Sequence, residues 1–515
     1  MNNSKPKITP ALPRGMRDLL PDQLAVRYKV IETLRKVFEL YGFQPLETPA
    51  MERLEILSGK GGEESDKLSF LVMKRGAEFQ RALDKVVAAS QAGELNYGEA
   101  QKELADMGLR YDLTVPLARV VAMNQGKLPM PFKRYQIAPV WRAERPQHGR
   151  YREFTQCDVD IVGTDSPVAD AEIISLFHHG FTEINNSIGN ISKSKYRIDF
   201  EIRVNHRQFI AILSGWMGNR SDQVSLFSTS LDKLDKVGKV GVVEEMISKN
   251  LNVSRIEDLW EIVDHVQNTK ESIAQTLEWF LGLGKKFQSE FPIEIPDSLV
   301  KSFVNRNMEN KGLLGIFRGL SRFEFPPTLK FDPTLSRGLD YYTGMVFEVV
   351  AIAEKIGSLG GGGRYDELIG AFGKSSLPSV GASFGIDRIV DLFTDQIEID
   401  DISKPISIGL LSSGEANWLH SRLFHFLREN QIPFRTFYDS NQRLEKQIQS
   451  AVKLGVGYVI FLNESDEIKY KEISDDPSQM LKLSDIIIDI KRLSDGEQRR
   501  LTLPQIVEWI KETAK

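Results

Sequence analysis

The sequence predicts an α+β protein: a mainly antiparallel sheet with helices, interrupted by a helical insertion and followed by a small α/β domain. Three observations carry this. Strand candidates at 132–142, 153–162 and 195–204 have alternating or β-branched content. Residues 207–325 then turn mostly helical and hold no chemical cluster. After "IEIDDISKP", strands at 406–411, 432–438, 458–463 and 485–491 alternate with helices at 414–430, 441–455 and 503–514. A chain of 515 residues is long enough for two to four domains.

The N-terminal "MNNSKPKITPALPRG" has no apolar signal core and is broken by proline, so a cytoplasmic location is expected. Residues 22–41 read as an amphipathic helix, with Val26, Val30, Leu34, Val37, Phe38 and Tyr41 at helical spacing, Asp22 as its cap and Gly42 as its stop. Its periodicity fits core packing and a subunit interface equally. "FQPLETPAM" reads as extended. Residues 77–106 are charged, proline-free and helix-like, an insertion between "SDKLSFLVMKRG" and "GLRYDLTVPLARVV", the latter strand-like. "TGMVFEVVAIA" returns to strand, and "SVGASFGIDRIVDLF" passes from strand to helix.

Composition removes several function classes. With 41% hydrophobic and 27% charged residues and no apolar run near the roughly 18 needed to span a bilayer, no membrane segment is expected. The single cysteine excludes an internal disulfide and a thiolate zinc site, and no metal ligands are assigned. A net charge of −5 gives no global attraction to nucleic acid, so any RNA contact must come from local patches.

Chemistry concentrates in four stretches. Around "AERPQHG", Arg142, Arg145, Arg150 and Arg152 fall within eleven residues, so a hairpin gathers their guanidinium groups at one end. That is either a solvated basic tip or a fork-rich site for phosphate oxygens. The following "REFTQCDVDIV" divides by face. Thr155, Cys157, Val159 and Ile161 form a mostly apolar side, on which Cys157 is a small core hydrophobe. Phe154, Gln156, Asp158 and Asp160 share the other, a stacking plane beside directed polar groups, with Asp158 given no role. "TLSRGLDYYTGMVFEV" brings Arg337, Asp340, Tyr341 and Tyr342 to a strand edge. It is either an ion-paired loop or a cation with hydroxyl donors. "SLGGGGRYDELIG" lets backbone approach a ligand closely, and "GAFGKSS" lacks the spacing of a Walker loop. In "GIDRIVDLF", Arg388 lies in a first helical turn, where the macrodipole disfavours a cation by roughly 0.3–1 kcal/mol. It is either a partner of Asp387 or Asp391, or a cation held towards an anion.

In this order the stretches resemble the class II aminoacyl-tRNA synthetases, and specifically the histidyl-tRNA synthetase family. "PRGMRDLLP" with the helix at 22–41 is similar to the first class II motif, 132–162 to the second and "GASFGIDRIV" to the third. "LSRGLDYYTGMVFEV" and "GGGGRYDEL" resemble the two histidine-specific elements. The resemblance implies a catalytic core over 1–206 and 326–398, with the insertion at about 77–106, a helical insertion domain over 207–325 and an anticodon-binding domain over 405–515. It implies a homodimer that charges tRNA(His) with L-histidine, using ATP and Mg2+.

Carried over by residue, the resemblance implies that Arg142 meets the α-phosphate, Glu144 the adenine amino group, Phe154 the adenine ring and Arg388 the γ-phosphate, with Arg150 also at the ATP site. Asp112, Thr114 and Gln156 would hold the α-ammonium of histidine. Asp160 and Tyr342 would read the imidazole, with Tyr341 beside them, and Arg337 would bridge the histidine carboxylate and the α-phosphate as the second catalytic arginine. Met16 stands where the family's opening motif has threonine, and Asp112 and Asp160 where some bacterial relatives have glutamate. The regulatory subunit of ATP phosphoribosyltransferase, a related histidine-binding protein, normally lacks the terminal domain and parts of the histidine-specific elements; both are present here.

Overall fold

The structure, a computed structural model, describes residues 9–58, 68–146, 149–189, 196–268, 316, 328–336, 342–354, 356–372, 376–396, 408–413, 417–437, 442–463, 465, 466, 468, 470 and 486–513. Two compact units divide the chain: Met1–Asn190 with Ser194–Ile397, and Ile191–Lys193 with Glu398–Lys515. Among the described residues no helix is long and apolar enough to cross a membrane.

The strands of the first unit are β1 (Gln44–Pro45), β2 (Met51–Arg53), β3 (Phe70–Met73), β4 (Ala105–Leu109), β5 (Phe132–Trp141), β6 (Glu153–Val162), β7 (Phe200–His206), β8 (Leu329–Phe331), β9 (Met345–Ala351), β10 (Ser358–Arg364) and β11 (Ser379–Gly385). Eight of them form one sheet in the order β1-β5-β6-β11-β10-β9-β7-β8. Pairing is antiparallel from β5 to β7 and parallel only at the two margins. The register places Gln156 between Ala138 and Gly385, Asp158 between Gln136 and Ser383, and Asp160 between Arg134 and Gly381. Successive side chains alternate between faces, so Gln156, Asp158 and Asp160 lie in consecutive rows of one face.

Helices cover the opposite face. Helix Pro21–Leu40 buries Val26, Val30, Leu34, Val37 and Phe38, and helix Pro167–Gly189 buries Ile173, Ile174, Phe177 and Phe181. Phe384 of β11 stacks on Phe177, with centroids 3.8 Å apart, and meets Phe38 at 5.8 Å. Cys157, Val159 and Ile161 are buried on this side, and burial raises the Cys157 thiol pKa well above its ordinary value. No chemistry is asked of Cys157.

Several sequence expectations need correcting. "GLRYDLTVPLARVV" is strand-like only in composition: its first residues end β4, and Thr114–Met123 is a helix. Asp112 accepts the Val115 N–H at 3.1 Å and Pro116 occupies the first turn, so capping and a preset φ override the β-branched content. Asp22 does not cap its helix; Leu20 stands at the cap, with its N–H donated to Gln23 Oε1 at 3.2 Å. The insertion at 77–106 resolves into helices Gly76–Gln91 and Tyr97–Leu104, joined to a three-stranded sheet, β2-β4-β3. The strand expected from 195 begins at Phe200. Beyond it, helices Arg207–Trp216, Val224–Leu231, Leu234–Ser248 and Ile256–Asn268 are described.

The second unit contains β12 (Ile408–Ser413), β13 (Phe434–Thr436), β14 (Tyr458–Asn463), β15 (Ile487–Arg492) and β16 (Gln498–Thr502) in the order β13-β12-β14-β15-β16. The first three run parallel and the last two antiparallel. Helices Asn417–Glu429 and Leu503–Thr513 close a core that includes Leu410, Leu423, Ile460, Ile488 and Trp509. The sequence reading missed β16. Its residues, "QRRLT", are polar and lie at the sheet margin, so they carry no apolar alternation.

Candidate active site

The polar face of β6 is closed over. Asp158 and Asp160 are 3% and 2% exposed, and with Asp112 of the segment leading into helix Thr114–Met123 they line an inner pocket of about 200 Å³. Thr114, Gln156, Tyr342 and Tyr365 complete much of its wall, with Gly361 and Gly381 on neighbouring strands. Burial forces these carboxylates to find partners or protons. Asp160 has both: the Tyr365 hydroxyl donates to Oδ1, and Arg134, fully buried, pairs with Oδ2 at 2.7 Å. Asp112 Oδ1 takes the Val115 N–H, while Asp112 Oδ2, Asp158 Oδ1 and Gln156 Oε1 have no hydrogen-bond partner among the described residues.

Burial raises the pKa of all three aspartates. Asp112 rises to about 6, held down in part by the Val115 N–H and by Arg142 and Arg134. Asp158 and Asp160 also rise, with Arg134 the main opposing influence on each. Tyr365 is raised well above its usual range, first by burial and then by Asp160, and so stays a phenol donor. Three buried acids beside two guanidinium groups leave the pocket short of positive charge, and its open acceptors suit a small ligand carrying N–H donors.

Gly381 makes this arrangement possible. A Cβ there would lie 1.8 Å from Asp160 Oδ1 and 2.9 Å from the Val159 carbonyl. Asp160 cannot yield without breaking from Arg134 and Tyr365. Gly381→Ala is therefore expected to lower stability by about 1–3 kcal/mol through overpacking and to abolish ligand binding in the inner pocket. Denaturant melts and calorimetric titration with histidine check this, and an unchanged midpoint with normal binding would contradict it.

The inner pocket opens into an outer chamber of about 580 Å³, and Arg142, Gln156, Tyr342, Gly361 and Ser383 line both. Arg142 Nε donates to the Tyr111 carbonyl at 3.0 Å, and its guanidinium lies 5.2 Å from the centre of the Phe154 ring. Glu144 and Arg150 face each other at 3.4 Å on the chamber wall. Arg388 donates to the carbonyls of Gly149 (3.1 Å) and Ser358 (2.6 Å). Arg17 pairs with both Asp387 and Asp391, at 2.8 and 2.6 Å. The structure thus ties "PRGMRD" to helix Ile386–Gln396, and Asp387 in turn accepts the Thr155 N–H of β6 at 2.8 Å.

The structure brings Asp112, Thr114, Arg142, Glu144, Arg150, Phe154, Gln156, Asp160, Tyr342 and Arg388 around these two connected cavities. Arg337, Asp340 and Tyr341 lie outside the described residues. Of the four hairpin arginines, Arg142 and Arg150 line the outer chamber. Arg152 turns to the carbonyls of Glu144 and Ala143 and organises the loop. Sequence reasoning missed Arg134, Tyr365 and Ser383, and placed Asp158 on this face without giving it a role. Arg134 left one signal, an arginine inside the apolar alternation of β5; Asp158 left another, its parity with Gln156 and Asp160.

An antiparallel sheet whose acidic pocket opens on an arginine-flanked chamber has the α+β architecture of the class II aminoacyl-tRNA synthetases. The family described as histidyl-tRNA synthetase matches residues 72–191 and 305–389. The histidine–tRNA ligase of Cytophaga hutchinsonii is 34% identical, over 97% of this chain and 98% of its own. That of Phocaeicola vulgatus is 38% identical, over 98% and 99%. The crystal structure of histidyl-tRNA synthetase from Nostoc sp. matches with a TM-score of 0.72 and 25% identity, covering 98% of this chain and 100% of that one. The chain belongs to the histidyl-tRNA synthetase family.

Proposed function

We propose that this chain is a histidine–tRNA ligase: it activates L-histidine with ATP to histidyl-adenylate and transfers the histidyl group to the 3′ end of tRNA(His). The observation that carries this reading is the pair of joined cavities, an acidic one sized for an amino acid and an arginine-flanked one with an aromatic plane, meeting at Arg142, Gln156 and Tyr342.

In this reading Asp112, Thr114 and Gln156 hold the α-ammonium. Asp160, Tyr342 and the neighbouring Tyr341 read the imidazole. Phe154 stacks on adenine, Glu144 takes its amino group, and Arg142, Arg150 and Arg388 bind the phosphates. Arg337 bridges the histidine carboxylate and the α-phosphate. The carboxylate attacks the α-phosphorus in line, the P–O bond to the pyrophosphate breaks, and a mixed anhydride forms. Arg142 and Arg337 lie between two anions that otherwise repel, and a preorganised donor of this kind is typically worth about 3–4 kcal/mol in the transition state. A terminal ribose hydroxyl of the tRNA then takes the acyl group and AMP leaves.

Mg2+ on the triphosphate supplies charge neutralisation of the leaving pyrophosphate. Such ions keep most of their waters and need only one or two protein carboxylates, a demand that Glu348, lining the outer chamber, fits. The region 405–515 is read as the anticodon-binding domain and 207–325 as an inserted helical domain. A cytoplasmic homodimer completes the proposal; Leu20, Tyr28 and Leu40, exposed on or beside helix Pro21–Leu40, supply apolar surface for the partner.

Purified protein is expected to catalyse histidine-dependent exchange of pyrophosphate into ATP. Tight histidine binding without exchange would instead indicate a regulatory histidine-binding protein.

A further inference from the structure

We propose that Arg17 is a positioning residue for the nucleotide: from outside the outer chamber it holds together the two wall segments that carry Arg150 and Arg388. The inference rests on ATP occupying that chamber, and it goes beyond that reading by giving a role to a residue that touches neither substrate.

The Arg17 guanidinium joins distant parts of the chain. Its Nη2 donates to Asp387 Oδ1 at 2.8 Å, and its Nη1 to Asp391 Oδ1 at 2.6 Å and to the Tyr151 hydroxyl at 2.8 Å. The guanidinium carbon lies 3.8 Å from the centre of the Tyr151 ring, so the group also stacks. Two residues earlier, the Gly15 carbonyl accepts the Arg152 N–H at 2.8 Å. Gly15 has φ +83°, and a Cβ there would lie 3.0 Å from Arg152 and from Pro146, so only glycine seats this run so closely on the hairpin. Asp387 and Asp391 stand one helical turn apart with side chains 9% and 13% exposed, where like charges repel and salt screens poorly. Arg17 lies between them, and its planar fork serves both at once.

What this cluster holds is the chamber wall. Of the described residues, Tyr151, Thr155, Asp387 and Arg388 line the chamber, whereas Arg17 and Asp391 do not. Asp387 Oδ2 takes the Thr155 N–H, next to Phe154, at 2.8 Å. Arg388 donates to the Gly149 carbonyl and so meets the hairpin beside Arg150. Arg27 of helix Pro21–Leu40 adds a second cation 3.4 Å from Asp387 and donates to the Thr155 hydroxyl. A triphosphate that engages Arg150 on one segment and Arg388 on the other needs those segments fixed to each other before it arrives. A misplacement of about 1 Å in such a site can cost about 10²-fold. Of the described residues, Tyr151, Asp387 and Asp391 are not among those lining the inner pocket. Loss of the Arg17 contacts should therefore fall on ATP and spare histidine.

The test begins with the wild-type full chain, which must show histidine-dependent pyrophosphate exchange; its absence would sink the proposed function and this inference with it. Given exchange, Arg17→Lys keeps the charge between the two carboxylates but loses the fork and the stack. It is expected to raise the KM for ATP about tenfold or more while the KM for histidine moves less than about threefold. Asp391→Asn keeps the shape of a residue outside both cavities and should raise the KM for ATP about threefold or more. Combined, the two substitutions should give less than the product of their separate effects, as residues that share one contact do. In the folded Arg17→Lys protein, an ATP KM within twofold of wild type would overturn the assignment. Equal rises for ATP and histidine would also overturn it and mark Arg17 as a support of the fold alone. Should thermal melts show that Arg17→Lys does not fold, the same two criteria applied to Asp391→Asn decide the matter.

Discussion

Arg142→Ala is expected to lower histidine-dependent pyrophosphate exchange by about 10²- to 10³-fold, the loss typical of a single preorganised donor to developing charge. Arg142 stands at the junction of the two cavities, held by the Tyr111 carbonyl at 3.0 Å and by the face of Phe154. These supports fix the guanidinium before substrates arrive, so no reorganisation is needed when negative charge builds on the α-phosphate. Alanine removes that donor, while Tyr111 stays anchored through its hydroxyl to the Leu57 carbonyl at 2.9 Å. The fold should survive and KM for histidine should change less than the turnover number. A variant within fivefold of wild-type exchange would remove Arg142 from the chemistry.

Asp112→Asn is expected to stabilise the unliganded protein and to impair histidine activation at once. Asp112 titrates at about 6 in the folded chain against an ordinary 3.8, because burial outweighs Val115, Arg142 and Arg134. The sign follows from proton binding. Between these values the folded state holds more protons than the unfolded state, so stability falls as pH rises. Above pH 6 the ionised, buried carboxylate costs on the order of 3 kcal/mol, and below 3.8 the cost is gone. Asparagine can still accept the Val115 N–H and carries no charge. At pH 7.5 its melting temperature should exceed that of wild type, and the two should converge near pH 4. The same substitution removes the charge opposite the α-ammonium, so the KM for histidine should rise by about tenfold or more. A variant no more stable at pH 7.5, with an unchanged KM, would contradict both expectations.

The two faces of β6 were legible because a strand alternates strictly. Once Cys157, Val159 and Ile161 are assigned to the core, Phe154, Gln156, Asp158 and Asp160 must share the other side. Burial of that other side was not legible. Polar residues at period two predict a solvated face, and only the covering segment around Asp112 and Tyr342 turns it into a pocket. Helix Thr114–Met123 is a different case. Its β-branched residues point to strand, while the bond from the Val115 N–H to Asp112, three residues apart, and Pro116 are local signals of a helix start that the strand reading passed over.

Arg388 and Arg152 show where pattern stops. Both lie in sequence-adjacent clusters of charge, and both donate to backbone carbonyls, which holds the Arg388 guanidinium on the chamber wall and ties Arg152 into its own loop. Arg17 pairs with Asp387 and Asp391 from more than 350 residues away. Only the tertiary contact reveals it.

By itself the sequence determined the antiparallel core, the terminal α/β domain and the residue types of the two cavities, because periodicity and local motifs are properties of neighbours along the chain. The tertiary structure alone decided which charges are satisfied. Arg134 and Tyr365 reach Asp160 across 26 and 205 positions. Their arrival engages that carboxylate, since hydrogen bonds and desolvation depend on distance in space.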